Sequence, residues 1–218
     1  FTSERKTSIT NSGTVTVKGG NIKSQATYGI TSGTVIVEEG TILGRGGVSC
    51  SNYTQNGGTV TSTTTDAGVN VSDSSAVING GTIISEGGIG LSVSNSYYGS
   101  ASSTVNGGTI IGKTRGINIS GNRSTVRVTG GEIEGQTETG ITNGSTLIMS
   151  GGHVTGKTNG INTTGNTQIT GGVVEGEQYG VYTTGTTTLG ENEGKISIDS
   201  PILKGELYGL YIAFSADT

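Results

Sequence analysis

The chain has 218 residues, among them 42 Gly, 37 Thr and 25 Ser, with 29% apolar and 13% charged residues and a single Pro. Glycine and β-branched threonine in such numbers exclude a helical protein, Gly without a three-residue period excludes collagen, and no apolar run approaches the roughly 20 residues of a membrane-spanning helix. The formal charge is −4, and no basic cluster marks a nucleic-acid surface.

The chain begins Phe1-Thr2-Ser3, without Met, signal peptide or anchor motif, and reads as a fragment of a longer protein. Residues 1–13 are expected to form an irregular N-terminal edge, residues 14–212 a run of repeats, and residues 213–218 a tail, all in one domain. The repeats are marked by glycine pairs: Gly19-Gly20, Gly57-Gly58, Gly80-Gly81, Gly107-Gly108, Gly130-Gly131, Gly151-Gly152 and Gly171-Gly172. Glu39-Gly40 and Glu193-Gly194 take the same slot, and the mean spacing is about 22 residues.

Fixed offsets from these pairs keep their chemistry. Two residues after the second Gly stand Ile22, Ile42, Val60, Ile83, Ile110, Ile133, Val154, Val174 and Ile196. Two residues before the first stand Val17, Val37, Gln55, Ile78, Val105, Val128, Met149 and Ile169, all apolar but Gln55. A third apolar site follows another glycine, as in Gly29-Ile30, Gly88-Ile89, Gly140-Ile141 and Gly209-Leu210. Each repeat therefore holds three short strands separated by bends. In Thr125-Val126-Arg127-Val128 the alternation sends both valines one way and Arg127 the other.

No single repeat can bury so few aliphatic side chains alone, whereas stacked repeats close them onto a common interior. The expected fold is all-β: a parallel β-solenoid, a right-handed β-helix by the habit of such folds. It has about nine coils of about 22 residues and three strands per coil, and is roughly 40 Å long at one strand spacing per coil. The longest spacing places a loop insertion at about 92–103, and Ser200-Pro201 marks a second departure.

The Gly-Gly-x-Ile/Val units, among them Gly81-Thr82-Ile83 and Gly108-Thr109-Ile110, and the Gly-Ile/Val starts of the third strands resemble those of bacterial surface proteins built on parallel β-helices, such as adhesins and autotransporter passenger domains. The stretch Thr188-Leu189-Gly190-Glu191-Asn192-Glu193-Gly194, with Ile202 to Tyr211, is similar to segments of large repetitive surface proteins of Gram-positive gut bacteria. The resemblance covers about residues 12–212. It implies an extracellular role in adhesion or display, on a bacterial cell surface or secreted.

Parallel β-helices also carry polysaccharide lyases and glycosidases, so an active site must be sought in the side chains, not the fold. The best cluster is Glu132, Glu134, His153 and Glu175. Glu132 and His153 share an offset in adjacent coils. Glu134 and Glu175 share another offset two coils apart, a separation of about 9.6 Å that lies at the upper edge of an inverting glycosidase pair. Two ligands, His153 and Glu132, are too few for a metal site. Lone Cys50 offers neither a disulfide nor a cysteine metal site. No cofactor is expected, and scattered charges on a solvated face are the plainer account of the cluster.

Tyrosine is the one frequent aromatic, with eight residues. Tyr179, Tyr182, Tyr208 and Tyr211 recur as Tyr-Gly-Val-Tyr and Tyr-Gly-Leu-Tyr, and Tyr97 and Tyr98 lie in the longest insertion. Such residues suit a glycan or protein contact, because the ring supplies area and the hydroxyl a hydrogen bond. Stacking along the solenoid is the plainer reading of the recurring four. An ice-binding Thr-x-Thr array is broken by Arg127 and Gln168 in the outward column of the first strand. The expected function is a non-enzymatic extracellular module binding a host or microbial glycan or surface protein, with no nucleic acid and no membrane insertion. A structural stalk and a polysaccharide-active enzyme are the alternatives.

Overall fold

The computed structural model describes residues 1–96, 98–190 and 201–213, and the regular structure among them is entirely β-strand. Every strand pairs in parallel with its counterpart one coil away, giving a solenoid of about nine coils of about 21 residues. One coil comprises Ser124–Val128, Glu132–Gly135 and Thr139–Asn143, which pair with Thr146–Met149, His153–Gly156 and Asn159–Thr163 of the next. The three strands define a first, second and third face. Pairing reaches into residues 1–13, expected to be irregular: Thr2–Ser3 lies beside Lys23 and Ser24, and Ile9 beside Ile30.

The apolar offsets in the sequence are the buried columns of the interior. Ile42, Val60, Ile83, Ile110, Ile133, Val154 and Val174 stack in register and are at most 1% exposed. Val126 and Val128 are fully buried and Arg127 is exposed, as their alternation predicts. Aliphatic burial of this kind contributes roughly 1.5–3 kcal/mol per side chain. Gln55, the polar exception, is itself fully buried. Its side-chain oxygen accepts from the Tyr53 hydroxyl at 2.8 Å, and its amide donates to the carbonyls of Gly58 and Thr82.

One register assignment changes. Leu91, not Ile89, continues the third column between Val69 and Ile117. The Gly88 amide donates to the Ser85 hydroxyl at 2.9 Å, so Gly88 belongs to the bend and the inward position comes after Gly90. Leu203 extends the second column beside Val174. The Glu193-Gly194 slot and Ile196 lie outside the described residues. Pro201 directly precedes Ile202, where in-register pairing with Val173 begins.

The turn between first and second strands depends on the second glycine of each pair. Gly131 has φ +90° and Gly152 +86°, and a side chain in this region strains the backbone. Beside these turns runs an amide ladder that the offsets did not announce. Thr129 donates to Asn106, Asn106 to Asn79, Asn79 to Asn56 and Asn56 to the Glu38 carboxylate, at 2.8–3.0 Å. Toward the C-terminal end part of the interior turns polar: buried Asn143 donates to Thr163, Thr167 and the Asn166 carbonyl at 3.0–3.1 Å, and its oxygen accepts the Ser145 amide.

Candidate functional site

The second face carries the charged cluster. Parallel pairing puts Glu132 beside His153, and Glu134 and Glu175 on either side of Thr155. His153 Nδ1 lies 3.1 Å from Glu132 and its Nε2 3.6 Å from Glu175. That second nitrogen is buried and has no hydrogen-bond partner among the described residues. Glu175 forms an ion pair with Lys204 of the last coil. The Lys204 hydrogen bond holds the Glu175 carboxyl below the ordinary carboxylate range, against a smaller opposing effect of desolvation, with lesser help from the Lys204 charge and from His153. A carboxyl held ionised in this way is unsuited to be a general acid, which needs a raised pKa. No three His, Cys, Asp or Glu among the described residues gather in a way that could hold a metal.

Thr155, Glu175 and Lys204 also line an open groove of about 450 Å³, whose far wall is Glu177 and Glu206. Glu177 is paired with Lys157. The groove follows the bend between second and third faces. There the strands end in Gly156, Gly176 and Gly205, where a methyl group would meet the carbonyl of Asn159, Tyr179 or Tyr208 at 1.9–2.3 Å. On the neighbouring bend side chains, Arg115 and Glu138 form the ion pair their positions predict, at 3.1 Å.

Directly past the groove, Tyr179, Tyr182, Tyr208 and Tyr211 form one cluster on the third face. Tyr179 and Tyr208 are parallel within 3° at 6.2 Å, and Tyr182 and Tyr211 lie 5.4 Å apart at 22°. Tyr179 also contacts Tyr182 and Tyr211, at 5.5 and 5.1 Å. In-register pairing stacks like on like, so a sequence motif repeated in adjacent coils becomes an aromatic platform. Tyr208 is 55% exposed and the other three are half-buried.

The remaining described tyrosine candidate, Tyr98, stands elsewhere. Tyr97 lies outside the described residues. Tyr98 is 88% exposed on the insertion, and strands reach to Ser94 on one side and begin at Ala101 on the other, inside the expected 92–103. Asn95 clamps this insertion: its amide donates to the carbonyls of Ser96 and Gly99, and its oxygen accepts from Arg123 and Ser124. Asp73, at φ +58°, accepts the Ser96 amide. The structure brings neither the Tyr98 insertion nor the charged row into the four-tyrosine cluster.

Periodicity alone did not single out the outward column of the third face. Thr31, Ser49, Asn70, Ser92, Asn118, Thr142 and Asn162 stack coil upon coil and continue into Tyr182 and Tyr211. The signal was available, because these residues stand one place after the third apolar offset. No family model, curated protein or solved structure matches the chain.

Proposed function

We infer that this chain is a non-enzymatic, extracellular binding module of a surface protein. It presents side chains on a rigid solenoid to a glycan or surface-protein ligand. The observation that carries this reading is the platform of Tyr179, Tyr182, Tyr208 and Tyr211, aromatic area gathered on an outer face where burial in the core does not require it. The mechanism is rigid presentation: each coil adds one row of outward groups, held in place without further ordering on binding. The bacterial-surface resemblance supports the location.

The test is a screen of the purified chain against immobilised glycans and host surface proteins, run beside a reducing-sugar release assay on the same polysaccharides. A specific ligand, lost in Tyr182→Ala and Tyr211→Ala and bound without sugar release, is the expected result. Absence of any ligand from a folded sample favours a structural stalk.

One observation favours a polysaccharide-active enzyme as a second reading: Glu175 and Lys204 line the 450 Å³ groove next to His153. Here Glu175, held ionised, would serve as the base, with Glu134 across Thr155 and Glu132 behind His153. Sugar release abolished by Glu134→Gln or Glu175→Gln would establish it and displace the binding module.

A further inference from the structure

Building on the binding-module reading, we propose that the third face is a track for one extended, uncharged glycan chain, laid parallel to the solenoid axis and ending on the Tyr182–Tyr211 pair.

The outward groups of this face differ from those of the other two. The second face carries Glu132, Glu134, His153, Glu175 and Lys204, and the first carries Arg127. From Thr31 to Asn162 the third-face column holds only hydroxyls and carboxamides. Every member is half-buried, so none of these side chains is either sealed in the interior or fully exposed.

These groups are also unengaged. Elsewhere asparagine is tied up, as in the ladder from Asn106 to Glu38 and the clamp at Asn95. Along the third-face column no side chain hydrogen-bonds to another described residue. Asn70, Asn118 and Asn162 alternate with Ser92 and Thr142, so the carboxamides sit two coils apart and cannot bond to one another. Paired in register with Tyr179, Asn159 is 8% exposed and its side-chain oxygen is buried without a partner among the described residues.

The spacing selects the ligand. Coils recur at about 4.8 Å, close to one pyranose along an extended chain, and the carboxamides at about 9.6 Å, close to a disaccharide repeat. Ring hydroxyls pair with hydroxyls and carboxamides, and sugar C–H faces lie on tyrosine rings. A protein partner would want an apolar centre and arginine, which this column lacks. An anionic glycan would want cations, and Arg115, at the edge of the face, is already paired with Glu138.

The experiment is calorimetric titration with disaccharides and hexasaccharides of the 1,4-linked β-gluco-, β-manno- and β-xylo- series. At least one series should bind, the hexasaccharide about tenfold or more tighter than the disaccharide, since each added pair of hydrogen bonds contributes modestly. Asn118→Arg should remove the length gain, bringing hexasaccharide affinity down to that of the disaccharide. Thr142→Arg gives the same readout at a second position, and circular dichroism checks both folds. Tyr182→Ala should weaken both lengths. Equal affinity for both lengths, unchanged in the arginine variants, would overturn the track yet leave a tyrosine-platform binder. No binding by any series, with a protein or extended peptide bound instead and still sensitive to Tyr182→Ala, would overturn the glycan and keep the module. Silence toward every ligand class would overturn both.

Discussion

Individual side chains in this protein take their chemistry from their column. Cys50 lies inward on the third strand, 8% exposed, and burial pushes its thiol up to about 12. Only the thiolate reacts. Ellman's reagent at mildly alkaline pH should therefore label Cys50 in the unfolded chain and not in the native one; rapid native labelling would show that the column opens locally. Glu175 illustrates the outward case. Its folded pKa is depressed below the ordinary 4.5, chiefly by Lys204. A depressed carboxyl contributes stability above its unfolded value and loses it as pH falls through the folded one. Lys204→Met should lower the melting temperature slightly at neutral pH, with a contribution of at most about 1 kcal/mol for so exposed a pair. The deficit should vanish in strong acid, and one that persists there would mean that Lys204 acts through packing instead.

At the level of strands and turns, hydrogen-bonded side-chain rows supplement the backbone ladders. The amides from Asn106 to Asn56 all donate in the same direction and end on the Glu38 carboxylate. Asn79 is both donor and acceptor in that chain, so Asn79→Ala should cost about 1 kcal/mol. Asn162→Ala, at a position with no internal partner, should stay within about 0.5 kcal/mol of wild type. Urea unfolding of the two variants makes the comparison, and equal losses would remove the distinction between ladder and track. Asn143 is more demanding. Its buried amide serves two threonine hydroxyls and a carbonyl, and its oxygen serves the Ser145 amide. Asn143→Ala leaves these groups without partners, so a loss of about 2–3 kcal/mol is expected in the same measurement.

Over the whole molecule, each coil contacts only its neighbours, and stability accumulates along one dimension. The central columns are closed on both sides, while the last coil leaves apolar side chains open: Leu189 is 41% exposed, Leu207 58% and Ile212 50%. Phe1 at the other end is 85% exposed. Amide exchange should accordingly be slowest in the strands around Ile83, Ile110 and Ile133 and fastest at both ends. Uniform protection from end to end would indicate that the solenoid opens only as one unit.

Coil number, the three buried columns and the outward alternation at Arg127 were legible in the sequence. Parallel in-register stacking makes each offset a spatial column, so periodicity translates directly into position. Bends of unequal length obeyed no such rule. Leu91, not Ile89, took the inward place after a bend in which the Gly88 amide bonds to the Ser85 hydroxyl, and Leu203 took the place beside Val174 after a longer spacing. Neighbours in the charged row were predictable from their shared offsets, whereas the Lys204–Glu175 pair depended on where the last coil resumed. The groove, the contacts among the four tyrosines and the unengaged hydroxyl and carboxamide column were decided only by tertiary structure. Sequence alone determines which side chains stand in a column, but their exposure and hydrogen bonding depend on how the neighbouring coils and bends pack around them.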